Sequence, residues 1–577
     1  MGCGWSLPSR SREAKSTTSP STEGLLSTSL SVQLYKAKVK SHIDPRGFVP
    51  LDALDKLLTE EAIKSELIRA GVANITPHLL RYVLEHAKKI FAILVMTGNV
   101  ELIERVLLDG LEDVHLPIEI DRGIARPYDH DSDNLSTNKR WTIFQDQTLE
   151  SMVFCEYQWR FLAPVFTEHG YKYFLHMECP LPFVDGKRMM GGERFSHHSR
   201  VYKACIHEAH RQWGNSEGPY VAIKELPLGN SSEYNAEART LKKLSKLAHP
   251  HLIKCLATYQ RGHNYCFIFH WAEGGNLRQF WAQQDRVSRD MELIQWALLQ
   301  MKGLADGLKV LHNFSLQENC RHGDLKPENI LRFLKADSSG LGRLVLSDLG
   351  SATFHEERTQ SRTRGTGVGY GTLRYEPPEA RKERNRPRSR RYDVWSTGCI
   401  FLEFTIWLLY GWDDLEWFNQ ELDRYWLDEG DSVRVHPNVL GYIEGMKNDP
   451  RCPRGSALGD LLQAIQGRLL VPEHGNEFEN EDISTWTTDS NRSVPEIESD
   501  VGVNTIRADS KELDMILGGI IHRLNGDPGY AFKEEGWVEA KGRRLDRILK
   551  QRQRSMISLP ISHWQDNQAA EQGEPQL

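Results

Sequence analysis

Apolar residues recur at helical spacing in the first quarter of the chain. Leucine and isoleucine positions lie three or four residues apart between residues 51 and 67, and the same spacing returns over 79–96 and 100–108. Such spacing gathers apolar side chains on one face of a helix. The pattern predicts a helical N-terminal extension over residues 41–175, with an aromatic-rich stretch near its end.

After residue 181 the apolar residues come in short β-branched or aromatic runs. Residues 220–223 and 265–269 are two such runs, and a helical pattern lies between them at 237–247. Long helical patterns follow at 291–311 and 393–409. Together they predict an α+β domain over residues 183–550, with a small β-rich lobe at about 183–270 and a large helical lobe at about 275–550.

Three segments lack a repeating apolar face. Residues 1–40 are rich in Ser and Thr, residues 473–510 are acidic, and residues 551–577 are rich in Gln and Glu. Such segments bury too little apolar surface to offset the entropy of ordering. The sequence predicts a disordered N-terminal tail, an acidic insert in the large lobe and a disordered C-terminal tail.

Composition narrows the class of protein. The 577 residues carry a formal charge of −7, which does not indicate a nucleic-acid binder. The nine cysteines are scattered without metal-ligand spacing, which disfavours a disulfide framework or a zinc site. No apolar run approaches the ~20 residues that span a bilayer. We expect a cytoplasmic protein, with a nuclear location left open.

The N-terminus matches a lipidation pattern. Residues 1–6 read Met-Gly-Cys-Gly-Trp-Ser, which places Gly2 as a myristoylation site beside Cys3 as a palmitoyl acceptor. One acyl chain anchors only weakly, whereas two hold a protein at a membrane. The alternatives are peripheral membrane attachment through Gly2 and Cys3 and an unmodified tail.

The most specific string in the chain lies at residues 322–331, His-Gly-Asp-Leu-Lys-Pro-Glu-Asn-Ile-Leu. It resembles the catalytic loop of eukaryotic protein kinases, whose fold has two lobes. The resemblance implies that Asp324 accepts the proton of the substrate hydroxyl, Lys326 steadies the γ-phosphate of ATP and Asn329 binds Mg²⁺. A lysine at this position is typical of serine/threonine kinases.

Further kinase motifs occur in the order the family requires. Val-Ala-Ile-Lys at 221–224 resembles the strand whose lysine, here Lys224, grips the α and β phosphates, and Glu237 resembles its ion-pair partner. Ser-Asp-Leu-Gly at 347–350 resembles the segment whose aspartate, here Asp348, binds the magnesium ion. Taken alone, a lysine ending an apolar strand is more often an exposed edge residue.

The resemblance also implies an adenine site. Val201 and Ala222 match the pair that encloses the adenine ring, and His270, Trp271 and Ala272 match the hinge between the lobes, whose backbone binds adenine. The preceding Phe269 matches the bulky residue that guards the inner pocket, although simple core packing explains it equally well.

Two positions depart from the family pattern. The glycine-rich loop that covers the phosphates has only Gly191 and Gly192 as its candidate, followed by bulky His197 and His198. Glycine lets the backbone approach phosphate closely, so this change weakens the expectation of ATP binding. Gly323 replaces the arginine that pairs with a phosphorylated activation loop, so activation by that route is not expected.

The activation segment ends in Pro-Pro-Glu at 377–379, and Asp393 matches the residue that supports the catalytic loop from a helix below it. Between them, the basic run 381–391 would favour acidic or phosphorylated partners. A solvated loop or a nuclear-import patch is the simpler interpretation of this run.

We expect a serine/threonine protein kinase that uses ATP and Mg²⁺ to phosphorylate a protein substrate, similar in style to divergent kinase-domain proteins of filamentous fungi. The alternative is a pseudokinase that acts as a scaffold, because the phosphate loop is degraded. A small-molecule kinase is disfavoured by the Pro-Pro-Glu segment. The substrate and the oligomeric state do not follow from the sequence.

Overall fold

The structure is a computed structural model that describes residues 29–40, 43–121, 124–127, 140–144, 149–168, 172–185, 194–196, 199–213, 218–226, 231–244, 249–285, 289–314, 319–334, 340–349, 353–355, 373–382, 389–430, 432–473 and 506–531. The lipidation motif at Gly2 and Cys3, the glycines Gly191 and Gly192, almost all of the acidic insert and the C-terminal tail lie outside these residues.

The described chain divides into two compact units. The first comprises residues up to Lys40 together with Arg46–Ala163, and the second comprises Ser41–Pro45 and everything from Pro164 onward. Each unit has its own hydrophobic core. None of the described helices is long and apolar enough to cross a bilayer.

The first unit is mainly helical, as the apolar spacing predicts. Its helices are α1 (Leu30–Lys36), α2 (Leu51–Leu57), α3 (Glu60–Arg69), α4 (Pro77–Glu85), α5 (Lys88–Thr97), α6 (Ile103–Asp109) and α7 (Leu149–Tyr157). Two short strands, β1 (Ile118–Asp121) and β2 (Ile124–Pro127), form an antiparallel pair.

Helix α5 forms the centre of this unit, because residues 90–95 are buried on every side. Helix α1 contacts it and buries Leu30 and Leu34, so residues 30–36 are ordered where the sequence predicted a disordered tail. Two leucines at i and i+4 are too few to stand out as a periodic pattern, and the helix depends on this contact with α5.

In the second unit, a small β-rich lobe comes first. Its elements are β3 (Phe166–Thr167), β4 (Tyr173–Leu175), β5 (Phe183–Asp185), β6 (Arg194–Ser196), β7 (Ser199–Ile206), β8 (Arg211–Gln212), β9 (Tyr220–Leu226), α8 (Ser231–Leu244), β10 (Cys255–Arg261) and β11 (Asn264–His270). Six of these strands follow the order β4-β10-β11-β9-β7-β5, and β6 pairs with β7 at the margin.

A large helical lobe follows. Its helices are α9 (Leu277–Gln283), α10 (Met291–His312), α11 (Glu379–Lys382), α12 (Arg391–Tyr410), α13 (Trp412–Gln420), α14 (Pro437–Lys447), α15 (Ala457–Ala464), α16 (Ser510–Gly526) and α17 (Pro528–Ala531). Short strands β12 (Asn319–Arg321), β13 (Ile330–Phe333), β14 (Arg343–Leu346), β15 (Thr353–His355), β16 (Trp426–Glu429) and β17 (Ser432–Val435) lie among them. The predicted two-lobed α+β fold with a helical N-terminal region is confirmed.

Helix α12 is the core of the large lobe. Residues 392–409 are all buried, as expected of a helix that is apolar around its whole circumference. Gly398 allows this packing, because a Cβ there would lie 2.8 Å from Leu469 Cβ. The buried helix gives the large lobe a rigid base on which its loops are held.

The segment 41–45 belongs to the second unit because of Asp44. This residue is 1% exposed, and its carboxylate accepts the backbone N–H of Leu181 at 3.0 Å and pairs with Arg261. Arg261 lies at the end of β10. A buried carboxylate needs such partners, so the ion pair fixes this short segment to the small lobe.

His251 lies where the strands of the small lobe approach α10. Its Nδ1 is 2.7 Å from the carbonyl oxygen of Leu344, and its ring lies against Gly303, where a Cβ would come within 2.2 Å of Nε2. Burial lowers the pKa of His251 to about 4, aided by nearby His249 and Arg343 and opposed by the bond to Leu344 and by Asp306. The folded protein therefore holds this imidazole neutral at pH 7.

The second unit should lose stability as the pH falls from 6.5 toward 4. The unfolded chain protonates His251 near its ordinary pKa of 6.5, whereas the folded chain does so only near 4. At 1.36 kcal/mol per pKa unit, the free energy of unfolding should fall by about 2 kcal/mol between pH 7 and pH 5 from this group. Urea unfolding at both pH values would measure it.

His251→Gln retains an amide that can donate to Leu344 but does not titrate, so this variant should lack most of that pH-dependent loss. Exposed His263→Gln is the matched control and should behave as the wild type. An unchanged pH dependence in His251→Gln would contradict the assignment.

Candidate active site

Three charged side chains from distant parts of the chain meet between the lobes of the second unit. Lys224 Nζ, on β9, lies 2.7 Å from Glu237 Oε1 on α8 and 2.9 Å from Asp348 Oδ1 just after β14. The side chains of Lys224 and Glu237 are only 13% and 7% exposed, while that of Asp348 is 46% exposed. Asp348 is thus the member of the triad that faces the open cleft.

Electrostatics keep Lys224 and Asp348 charged. Burial opposes the charge of Lys224, but Glu237 and Asp348 outweigh it and raise its pKa above the ordinary value. The Lys224 ammonium lowers the pKa of Asp348 to about 2, against the opposing effect of burial. Asp348 also has a φ of 59°, a left-handed conformation that is costly for a residue with a Cβ. Strain of this kind is found at functional sites.

Strand register explains which residues share the face of Lys224. Val221 and Ile223 are buried, so the alternate residues Ala222 and Lys224 point to the opposite face of β9. Val201 pairs with Lys224, and Phe269 pairs with Ala222. Residues directly opposite each other share a face, so the predicted adenine pair and the predicted guard residue lie on the same surface as Lys224.

The hairpin of β6 and β7 lies within the candidate phosphate-loop string that begins at Gly191. Arg194 pairs with Val201 and Ser196 pairs with Ser199, so residues 197 and 198 connect β6 to β7. Gly191 and Gly192 precede β6 in the sequence and are outside the described residues. The residues of the hairpin beside the connection are Ser196 and Ser199, which are not glycines.

The predicted hinge follows β11. His270 is the last residue of this strand, and the Trp271 N–H donates to Tyr220 O at 3.2 Å. Ala272 O then accepts the N–H of Gly275 at 3.2 Å, which turns the chain toward α9. The three hinge residues therefore join the last strand of the sheet to the first helix of the large lobe.

The predicted proton acceptor, Asp324, lies in a compact loop. It is 8% exposed, and its Oδ2 accepts from Lys326 Nζ at 2.7 Å and from Asn329 Nδ2 at 3.1 Å. Asn329 Nδ2 also donates to the carbonyl oxygen of Asp324 at 2.8 Å. Two donors thus hold the carboxylate in one orientation.

The β13–β14 pair brings the two predicted metal ligands together. Ile330 pairs with Leu346, so Asn329 and Asp348, just outside this pair, lie at the same end of the hairpin. The Ser347 N–H and hydroxyl both donate to Asn329 O, at 2.8 and 2.9 Å. With Nδ2 of Asn329 used by Asp324, its Oδ1 and the Asp348 carboxylate remain as oxygen donors, which fits a hard divalent cation.

Asp393, at the start of α12, supports the loop from below. The predicted hydrogen bonds to the loop backbone are present, because the N–H groups of His322 and Gly323 donate to its carboxylate at 2.8 and 2.9 Å. His312 Nε2 lies 2.8 Å from the same carboxylate, at the end of α10. Gly323 has a φ of 84°, which glycine adopts without the cost that a Cβ adds.

Glu379, at the end of the predicted activation segment, is held by Arg507. Arg507 is fully buried, and Nη1 and Nη2 donate to the two oxygens of Glu379 at 2.7 and 3.1 Å. Its Nε donates to Val471 O at 2.9 Å and its Nη1 to Arg391 O at 3.0 Å. Arg507 thus joins the end of the predicted acidic insert to Val471, which precedes the insert, and to the end of the activation segment.

Arg507→Ala should destabilise the large lobe strongly. Removing one member of a buried ion pair leaves the other without its partner, and we expect a loss of about 3–5 kcal/mol in the free energy of unfolding. Arg523→Ala is the matched control, because Arg523 is 49% exposed and pairs with Asp460 at 2.9 Å. That control should cost less than about 1 kcal/mol. Similar denaturation midpoints for both variants would contradict the structural role of Arg507.

Sequence reasoning missed the partners that are distant in the chain. His312 ends a helix of unremarkable pattern, and Arg507 lies near the end of the predicted acidic insert, 128 positions from Glu379. It also missed Arg278, which binds Glu328 of the catalytic loop and Tyr375. A buried arginine is indistinguishable from a surface arginine in a single sequence, so only the fold reveals these contacts.

Comparison with known proteins agrees with this geometry. Residues 202–425 match the family model described as protein kinase domain. A probable myosin light chain kinase of Dictyostelium discoideum is 33% identical over 186 residues, which are 32% of this chain and 34% of that protein. The serine/threonine-protein kinase PKH3 of Eremothecium gossypii is 30% identical over 257 residues, 44% of this chain and 30% of that protein.

The name of a third relative includes tyrosine as well as serine and threonine. The serine/threonine/tyrosine-protein kinase HT1 of Arabidopsis thaliana is 28% identical over 234 residues, 39% of this chain and 52% of that protein. The chain thus spans about a third of the length of the first two relatives and about half of the third. Residues 202–425 of this chain therefore form a protein kinase domain of the eukaryotic protein kinase superfamily.

Proposed function

We propose that this chain is an active serine/threonine protein kinase that transfers the γ-phosphoryl group of Mg-ATP to a hydroxyl of a protein substrate. The observation that carries the proposal is the joint placement of Lys224, Glu237, Asp324, Asn329 and Asp348. Loss of catalysis in a kinase fold commonly removes one of these side chains, and here all five are present in one cluster.

Each side chain has a role that its contacts support. Lys224, oriented by Glu237, would bind the α and β phosphates of ATP. These phosphates would replace Asp348 as an anionic partner of Lys224. Asp324 would accept the hydrogen bond of the substrate hydroxyl and receive its proton as the O–P bond forms. Lys326, 2.7 Å from Asp324, would donate to the γ-phosphoryl oxygens as the bond to ADP breaks.

Asn329 and Asp348 would hold the metal ion through Oδ1 and a carboxylate oxygen. Mg²⁺ is commonly bound by one or two protein oxygens together with substrate phosphates, so two protein ligands suffice. A divalent ion held by these two residues would supply positive charge against the negative charge of the phosphates. The Lys224 ammonium keeps the pKa of Asp348 below its ordinary value, so this carboxylate is ionised at neutral pH.

The hairpin of β6 and β7 would cover the phosphates with an unusual sequence. In the sequence, serines rather than glycines flank the two histidines between these strands. We expect binding of ATP to be weaker than with glycines at these positions. This feature supports the second candidate function, a pseudokinase scaffold.

Phosphate transfer by the full-length protein decides between the two. Labelled Mg-ATP would be supplied with a generic protein and with the chain itself, followed by analysis of the labelled amino acid. Phosphoserine or phosphothreonine is expected, and phosphotyrosine would contradict the specificity. No transfer to either acceptor, with no thermal shift on adding Mg-ATP, would favour the scaffold.

A further inference from the structure

A lysine of the small lobe contacts two aromatic rings beside the predicted hinge. Nζ of Lys203, on β7, lies 3.9 Å from the ring centroid of Tyr220 and 5.2 Å from that of Trp271. Tyr220 is the first residue of β9, and Trp271 is the middle residue of the predicted hinge. An ammonium within about 6 Å of a ring centroid is attracted to the electron-rich face of the ring. Lys203 therefore contacts the sheet and the hinge at the same time.

The strand register places Lys203 on the nucleotide-facing side of the sheet. Lys203 pairs with Ala222 across β7 and β9, and residues that pair directly share a face. Val201 lies two residues before Lys203, and Tyr220 lies two residues before Ala222, so both are on this face as well. Val201 and Ala222 are the predicted adenine pair. Lys203 and Tyr220 thus lie beside that pair, at the side nearest the hinge.

The backbone ties the hinge to the same tyrosine. The Trp271 N–H donates to Tyr220 O at 3.2 Å, directly after His270, which pairs with Val221. The chain then turns away from the sheet, where Ala272 O accepts the N–H of Gly275. Trp271 is therefore the residue at which the hinge leaves the sheet. A restraint on its side chain also restrains the peptide groups on either side of it.

The aromatic contacts are the main interactions of the Lys203 ammonium. Lys203 forms no ion pair with any carboxylate that the structure describes, in contrast to Lys224, which has Glu237 and Asp348. Lys203, Tyr220 and Trp271 are all half-buried. Attraction between a cation and an aromatic ring is stronger where water is partly excluded, so this contact contributes more than it would on an open surface.

We propose that Lys203 is a positioning residue for ATP, which holds Trp271 in place so that the hinge backbone at His270 and Ala272 is preorganised to bind adenine. The inference rests on the proposed function, because it takes this segment as the adenine site. A preorganised site binds more tightly since less freedom is lost on binding. Lys203 should therefore act on the adenine half of the nucleotide, and on binding rather than on phosphoryl transfer.

The first test is Lys203→Met in the full-length protein. Methionine keeps the long apolar stem and removes the cation. Dissociation constants would be measured for Mg-ATP, for adenosine and for Mg-tripolyphosphate, by competition with a labelled nucleotide. We expect the first two constants to rise three- to tenfold and the third to stay within twofold of the wild type. KM for ATP should rise by the same factor as its dissociation constant, with kcat unchanged.

Two further variants identify the interaction. Lys203→Arg keeps a cation that stacks well on aromatic rings, so its affinity for adenosine should match the wild type. Tyr220→Leu removes the nearer ring, and adding Lys203→Met to it should then weaken adenosine binding less than twofold. Residues that act through one contact show this kind of coupling. Lys203→Gln is the neutral replacement to use where Lys203→Met does not fold.

Lys172→Met is the matched control. Lys172 is an exposed lysine whose Nζ lies 4.5 Å from the ring centroid of Phe174, so the same change removes a cation and an aromatic contact elsewhere in the small lobe. It should bind all three probes as the wild type does. Losses equal to those of Lys203→Met would show a general effect of charge and overturn the inference.

Other outcomes also separate the two proposals. Wild-type affinity for adenosine in Lys203→Met would overturn the inference. Weaker binding of Mg-ATP and Mg-tripolyphosphate with unchanged adenosine would do the same, because Lys203 would then contact the phosphates. In each of these cases transfer by the wild type persists and the proposed function stands. A wild-type protein that neither binds Mg-ATP nor transfers phosphate would overturn the proposed function and the inference together.

Discussion

Asp324→Asn should lower kcat about 10²–10⁴-fold, with little change in folding. The variant removes the oxygen that receives the hydroxyl proton, and general-base catalysis contributes a factor of this size. In the wild type, Lys326 Nζ and Asn329 Nδ2 both donate to Oδ2 of Asp324. The asparagine side chain puts either an amide NH₂ or a neutral carbonyl oxygen at that position. The change therefore removes the base and disturbs its orientation together. Single-turnover transfer from labelled Mg-ATP would measure the effect.

Asp423→Asn is the matched control, because it makes the same change at an exposed position of the large lobe. Its kcat should equal that of the wild type. Thermal unfolding of both variants would verify that the fold is retained. Asp324→Asn activity within tenfold of the wild type would assign the proton acceptor to another group and contradict the proposed mechanism.

The parts of the fold that were predicted from the sequence are those set by local pattern. The alternation in β9 determines that Ala222 and Lys224 share one face, and the apolar circumference of α12 requires burial. The catalytic loop is also local, since Asp324, Lys326 and Asn329 lie within six residues and contact each other directly. Short-range spacing carries enough information in such cases.

Other features depend on pairing across long stretches of chain. The register of β6 against β7, in which Ser196 pairs with Ser199, does not follow from any local spacing rule. The ordering of α1 likewise depends on its contact with α5, more than fifty residues away. The strand register and the ordering of α1 are determined by tertiary packing, which a local sequence pattern does not encode.

The same distinction explains the charged networks. Lys224, Glu237 and Asp348 were predictable because a family motif marks each of them, although 124 positions separate Lys224 from Asp348. Arg278 and Arg507 belong to no motif, yet each forms an ion pair with a glutamate of one: Arg278 with Glu328 and Arg507 with Glu379. Motifs indicate the chemistry of a site, whereas the residues that neutralise or restrain it are found from the contacts.

Lys224→Met should lower kcat/KM at least 100-fold and also destabilise the apo protein. Lys224 is the shared partner of Glu237 and Asp348, so methionine leaves a nearly buried glutamate without its cation, at a cost of about 3 kcal/mol in the free energy of unfolding. The exposed Asp348 adds little, because water can solvate it. Loss of the phosphate-binding ammonium then misplaces ATP relative to Asp324.

Two further variants separate stability from catalysis at this position. Lys254→Met, the matched control, removes an exposed lysine paired with Glu168 at 3.1 Å and should cost less than about 1 kcal/mol without affecting transfer. Lys224→Arg keeps the positive charge and should recover most of the stability, but its planar fork differs in length and geometry from an ammonium, so transfer should stay low. Urea unfolding gives the first quantity and initial rates at varied ATP give the second. Wild-type rates in Lys224→Met would contradict the role of Lys224 in binding ATP, because no other lysine or arginine among the described residues pairs with both Glu237 and Asp348.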